Sequence, residues 1–288
     1  MLIADGNGQR IFNEKIAVRL GKDGINKGII TDEAYSRAIR TMTYFKEKAV
    51  QHNADLIVAI ATSAVRNAAN GQQLVSDIFA HTGIQIRVIT GLEEANLIYQ
   101  GVRAALHLGT DTNLIIDIGG GSVECIVGNH QQILWSQSFE IGAQRLYDLF
   151  HTSDPIPPEQ IIALNNYLES QLHPLINASI LYKPATLIGS SGTFDTLAEI
   201  DWIKKGGPLN GNTPTEYLLS SMDYISISED IVCKSREERL GIPGMIDIRV
   251  DMVVVACLLI NFIRKRLQLE DIRVSSYALK EGVLHSML

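Results

Sequence analysis

Residues 115–128 read IIDIGGGSVECIVG. β-Forming residues deliver one acid, Asp117. Gly119, Gly120, Gly121 and Ser122 come next, and β-forming residues then resume around a second acid, Glu124. A glycine turn after a strand is first tested against the dinucleotide fingerprint G-x-G-x-x-G. The third glycine position is Glu124, and the residues after it are strand-like rather than helical, so the fingerprint fails. No Gly-Lys-Ser/Thr is present either, which excludes a Walker loop. The stretch reads as a β-hairpin whose turn is bare backbone. Without Cβ atoms, the N–H groups from Gly119 to Ser122 can approach an anion closely. Asp117 ends the incoming strand, where a hard cation can reach it directly or through water. Glu124 is placed as a second ligand or as a water positioner, since Mg²⁺ takes one or two carboxylates together with phosphate oxygens. A plainer reading also satisfies these residues: a tight hairpin with two solvated acids.

The hairpin sits within an alternating pattern. Residues 31–51 open with a Thr cap and acids in the first turn, which predicts a helix. Residues 55–61 (DLIVAIA) read as a buried strand, 71–81 as a helix, 85–90 as a strand and 93–106 as a helix. After 108–113 the pattern restarts with a meander of strands at 113–118, 122–128 and 132–140. Helices near 143–150 and 158–172 come after it, and then a strand ATLIG runs into the small-residue turn SSGT and another helix. KKGGPLNGNTP at 204–214 reads as a loop. The chain closes with a helix near 250–268, a strand at 271–275 and a helix near 277–286. Strand–helix alternation indicates an α/β fold, with a domain join at 108–113 that divides 1–111 from 112–288.

Composition narrows the function. The 288 residues are 46% hydrophobic, enough for two cored domains. The net charge of −7 disfavours a nucleic-acid partner, so positive potential for a polyanion would have to be local. The three cysteines, Cys125, Cys233 and Cys257, are unclustered, which argues against disulfides or a thiolate metal site and fits a cytoplasmic location. The longest apolar run, MVVVACLLINFI at 252–263, falls short of the roughly 20 residues a membrane span needs, so it reads as a core helix and no membrane partner is expected. The start of the chain carries no signal-peptide pattern.

Three other segments carry candidate chemistry. IGSSGT at 188–193 is a second strand-to-helix turn, where the N–H groups of Ser190, Ser191, Gly192 and Thr193 can receive an anion or simply cap a helix. ATSAVRNAAN at 61–70 puts Arg66 just past a strand, where its guanidinium can fork onto phosphate or form a surface salt bridge. TGLEEANLIYQGV at 90–102 begins a helix with Glu93 and Glu94, whose ordinary role would be to complement the helix dipole.

In this order, these segments resemble the exopolyphosphatase/guanosine pentaphosphate phosphohydrolase (Ppx/GppA) family. Further matching pieces are VRLGKDGI at 18–25, IGAQRL at 141–146, RVD at 249–251 and VSSYALKEGVL at 274–284, so the resemblance spans nearly the whole chain. The pair GLEEANLIYQGV and DIGGGSVE at this separation is its most specific element. One departure is Ala278, where the family often has Gly.

The resemblance implies two actin-like (ribonuclease H-like) α/β domains facing a central cleft, as in the sugar kinase/actin/heat-shock chaperone superfamily. It implies release of terminal orthophosphate from inorganic polyphosphate, or of the 5′-phosphate of guanosine pentaphosphate, with Mg²⁺ or Mn²⁺ as cofactor. Glu94 matches the general base. Asp117 and Glu124 match the acids that handle metal and water, Arg66 a phosphate-contacting arginine, and 119–122 and 190–193 the phosphate cradles. A homodimer is a further expectation from the family. Family members also open with a strand ending in Asp-x-Gly-Ser/Thr-Asn. This sequence begins at MLIADGNGQ, so the resemblance implies that about 15 residues of that pattern, roughly one hairpin by ordinary strand lengths, lie outside it. Met1 then reads as an internal methionine of a longer protein, without an appended C-terminal domain. The first domain is expected to show an exposed sheet edge and half a phosphate cradle. A weakly or non-catalytic guanine-nucleotide or polyphosphate binder is the alternative, and a sugar or acetate kinase a weaker third reading.

Overall fold

The structure is a computed structural model that describes residues 1–208 and 214–287. In chain order, β1 (Leu2–Ala4) and β2 (Arg10–Asn13) form an antiparallel ribbon, and α1 (Asp32–Gln51) comes after a short 3₁₀ turn. Next are β3 (Ala59–Ala61), α2 (Ser63–Arg66), α3 (Gly71–Thr82), β4 (Ile86–Val88) and α4 (Gly91–Ala105). The meander is β5 (Asn113–Ile118), β6 (Val123–Gly128) and β7 (Ile133–Phe139). It leads into α5 (Ala143–Phe150), α6 (Pro158–Gln171), α7 (His173–Tyr182), β8 (Thr186–Ser190) and α8 (Gly192–Lys204). The last elements are β9 (Glu216–Leu219), α9 (Ser221–Cys233), α10 (Arg236–Leu240), α11 (Met252–Leu267), β10 (Ile272–Ser275) and α12 (Leu279–His285).

The α/β fold and the meander agree with the sequence pattern, with α1 capped by the Thr31 hydroxyl on the Ala34 N–H as its composition predicts. α7, α9, α10 and β9 were not legible in the pattern. Of the loop expected at 204–214, residues 209–213 lie outside the described residues. The apolar run 252–263 falls within α11 and is largely buried, so it is core.

The C-terminal sheet has the order β7-β6-β5-β8-β10-β9, with β5, β8 and β10 parallel and the rest antiparallel. Strand periodicity sends Leu114, Ile116, Cys125 and Val127 to one face, where they pack with residues of α5, α6, α7 and α11. Ile126, Ile115 and Ile188 lie in register across β6, β5 and β8 on the other face, against Ala95, Ile98 and Val102 of α4. α12 in turn packs along α4.

The N-terminal part shows the exposed sheet edge that the resemblance implies, and one strand is shorter and less buried than its pattern predicts. The strand expected at 55–61 narrows to Ala59–Ala61, and its apolar lead-in is exposed: Leu56 is 67% exposed and Val58 46%. Among the described residues β3 pairs only with β4, and β1 only with β2, so two separate two-stranded sheets stand where one continuous sheet would bury these side chains. Among the described residues no strand covers that edge, and apolar residues without a neighbouring strand have nothing to pack against.

Candidate active site

Two residues beyond the row Ile126–Ile115–Ile188, the same sheet face carries Glu124, Asp117 and Ser190 in register. Ser138 extends the row on β7 and Ser275 on β10. The Ser190 hydroxyl donates to Asp117 Oδ2 at 2.7 Å, and the Ser138 hydroxyl donates to Glu124 Oε1 at 2.6 Å. This face is covered by α4, so Glu94 in its first turn reaches the same row. The strand register and the helix that packs on it therefore bring the two hairpin acids together with a third from a separate segment.

All three carboxyls are buried, and burial is the first cause that raises each of their pKa values. Asp117 is pushed up to about 6, opposed by the hydrogen bonds from Ser190 and Ser191. Glu124 is pushed up to about 8 by burial and then by the charge of Glu94. Glu94 is raised by burial although Arg66 Nη1 donates to its Oε2 at 3.1 Å, so desolvation outweighs the ion pair. Mutually repelling buried acids are an arrangement that a cation relieves. Among the described residues no three of His, Cys, Asp and Glu converge closely enough to hold a metal ion. The fit is therefore to a cation that takes Asp117 and Glu124 and completes its shell with water and phosphate oxygens, the common pattern for Mg²⁺.

Two backbone cradles flank the row. β5 and β8 are parallel neighbours, so the turns after them emerge at the same sheet edge, where α/β sheets hold ligands. In the first turn, the Gly119 N–H is taken by Ser122 O at 3.0 Å, which removes it from the expected cradle. The carbonyls of Gly119, Gly120 and Gly121 accept from Ala143, Gln144 and Gly142 at the start of α5, which pins the turn. The N–H groups of Gly120, Gly121 and Ser122 have no acceptor among the described residues and remain available. In the second turn, Ser191 has φ 75° and ends in the first turn of α8, whose N–H groups lead from Gly192 and Thr193.

Arg66, expected just past a strand, ends the short helix α2 after β3, with Nη1 also donating to Ile89 O at 2.9 Å and Nη2 to Glu140 Oε1 at 3.4 Å. The sequence pattern assigned no role to Glu140, Ser63, Arg145 or Arg249. Arg249 is the most consequential. Its guanidinium lies against Gly192, so close that a Cβ there would fall 1.8 Å from Nη2. Its charge faces Asp195 and Asp117, and its side chain has no acceptor among the described residues. Lys15 of the N-terminal part joins this corner through Asp195 at 3.3 Å. The RVD motif at 249–251 was the only signal for Arg249, and it named no role.

The sequence of residues 2–288 matches the Ppx/GppA phosphatase family. Among solved structures, an exopolyphosphatase from Cytophaga hutchinsonii is 44% identical, covering 99% of this chain and 92% of that one, with a TM-score of 0.95. The Aquifex aeolicus member of the Ppx/GppA family is 23% identical, covering 99% and 91%, with a TM-score of 0.77. Exopolyphosphatase 2 of Mycobacterium tuberculosis is 26% identical over 297 residues, covering 99% of this chain and 91% of that protein. The chain shares its α/β fold with these relatives, as the resemblance led us to expect, and it belongs to the Ppx/GppA phosphatase family.

Proposed function

We propose that this chain is an exopolyphosphatase that releases terminal orthophosphate from inorganic polyphosphate, with the 5′-phosphate of guanosine pentaphosphate as a second substrate of the same chemistry. The observation that carries the reading is the convergence of Glu94, Asp117 and Glu124 beside two backbone cradles and two arginines. Family membership and the exopolyphosphatase names of relatives support it. A repeating phosphate chain offers no base or sugar to read, so N–H groups and guanidinium groups suffice to bind it.

The N–H groups of Gly120, Gly121 and Ser122, and those of Ser191, Gly192 and Thr193, hold phosphate oxygens. Arg249 meets charge at the second cradle and Arg66 at Glu94. Asp117 and Glu124 would hold Mg²⁺ or Mn²⁺, which supplies charge neutralisation on the phosphate oxygens. Glu94 accepts a proton from the attacking water as its oxygen bonds to the terminal phosphorus and the bridging P–O bond breaks toward the shortened chain. Burial makes the Glu94 carboxylate a better base, and Arg66 holds it in place. Phosphoryl transfer needs this positioning and charge neutralisation more than covalent help. We take the division at 111/112 into two domains as part of this reading.

Orthophosphate release from polyphosphate and from guanosine pentaphosphate, with Mg²⁺ and with chelator, tests the proposal. Metal-dependent release from polyphosphate is expected. Tight binding of either substrate with no release would establish the non-catalytic reading instead.

A further inference from the structure

Glu140 comes directly after β7 and reaches into the N-terminal part. Its carboxylate accepts from Ser63 Oγ at 2.7 Å, from Arg145 Nη2 at 3.0 Å and from Arg66 Nη2 at 3.4 Å. Arg145 is itself anchored on Gly121 O at 2.8 Å and Ile25 O at 2.9 Å. Two guanidinium groups and a hydroxyl around one anion is also the donor set a terminal phosphate would seek. The position adjoins the glycine turn, because a Cβ at Gly121 would lie 2.5 Å from Ser63 Oγ. It shares Arg66 with Glu94. One guanidinium thus faces two carboxylates, and Arg66 and Arg145 are already matched by Glu94 and Glu140, so an incoming phosphate finds no unpaired positive charge here while Glu140 stays in place.

Burial alone would raise the Glu140 pKa, but the bonds from Ser63 and Asn67 and the charges of Arg145 and Arg66 hold it below the usual carboxylate range, so it is an anion at neutral pH. Its side chain is 44% exposed, and its contact with Arg66 is the longest of the three, so it can leave Arg66 without unpacking the core.

We propose that Glu140 is a specificity-determining residue, an internal anion that holds the Arg66–Ser63 position against free orthophosphate and yields to a polyphosphate chain anchored elsewhere in the site. Orthophosphate has no second anchor with which to displace a resident carboxylate. A longer chain also engages the second cradle and Arg249, so its terminal phosphate competes intramolecularly at high effective concentration. Glu140 thereby limits occupation of the site by the reaction's own product. The inference rests on the phosphate-binding part of the proposed function and not on turnover.

Calorimetric titration of orthophosphate and of tripolyphosphate into the wild-type chain, E140Q and E140S tests it, with E93Q as a control for loss of one surface charge. Thermal melting checks that each variant is folded. For E140Q and E140S, orthophosphate affinity is expected to rise roughly two- to fivefold, the range for releasing a partly exposed ion pair. Tripolyphosphate affinity should rise less, and E93Q should leave both unchanged. Unchanged or weaker orthophosphate binding in both variants would overturn the proposal and make Glu140 a positioning residue for Arg66. An equal gain for both ligands, or the same gain in E93Q, would reduce it to a general field effect and also overturn it. Absence of binding to every chain would overturn it together with the proposed function. Binding as expected without any hydrolysis would overturn only the latter.

Discussion

Asp117 and Glu124 lie directly opposite each other on β5 and β6, and the hydroxyls of Ser190 and Ser138 close the row on either side. Both carboxyls are buried, so both are costly as anions without a cation and useful with one. D117N and E124Q are therefore expected to lower kcat/KM on polyphosphate by roughly 10²-fold or more, as loss of an electrostatic group at a reacting centre does. At neutral pH metal-free D117N should melt above the wild-type temperature, because the neutral isostere removes a buried charge, and E124Q close to it, because Glu124 is already largely protonated there. Steady-state kinetics and melting on the same preparations check this pairing of lost activity with kept stability.

The raised pKa values also set a pH dependence. The folded state binds protons at Asp117 and Glu124 more tightly than the unfolded chain, so their contribution to stability is full at low pH. It is lost as pH rises through about 6 for Asp117 and about 8 for Glu124. For Asp117 alone the linkage is on the order of 3 kcal/mol. The melting temperature of the metal-free protein should fall from pH 5 to pH 8, and D117N and E124Q should flatten that fall. Added Mg²⁺ should stabilise more as pH rises, because its ligands must be deprotonated.

Gly192 makes room for Arg249. A methyl group there would displace the flexible end of the guanidinium rather than backbone. G192A should therefore fold and melt within a few degrees of wild type, while KM for polyphosphate rises severalfold through the misplaced guanidinium. R249Q should show the same KM effect without the new methyl group. Parallel KM and melting measurements separate displacement of Arg249 from damage to α8.

The exposed apolar residues Leu56, Ile57 and Val58, which lead into the open edge strand β3, are a liability. Unpaired apolar strand edges template association, and a charge placed on them suppresses it. V58K should lower concentration-dependent light scattering on warming, with little change in activity.

The meander was legible because β-formers, a bare turn and a second turn at residues 128–131 (GNHQ) fall within one short stretch. Asp117 and Glu124 stood out for the same reason. Glu94 was legible as a site residue only through the resemblance, because an acid in a first helical turn is ordinary. Its meaning comes from α4 packing on the sheet face that carries the other two acids. Glu140 and Arg249 depend wholly on tertiary placement, one on the join of two distant segments and the other on a glycine 57 positions away in sequence. The strand at 55–61 shows the converse. Its apolar pattern predicts burial, but burial requires a neighbour that local sequence does not report.

The most direct test of the central claim compares wild type with E94Q at saturating polyphosphate and Mg²⁺, measuring orthophosphate release and, separately, polyphosphate affinity. If Glu94 takes the proton of the attacking water, kcat falls by about 10²–10⁴-fold while affinity changes little. Equal rates in the two proteins would contradict the account.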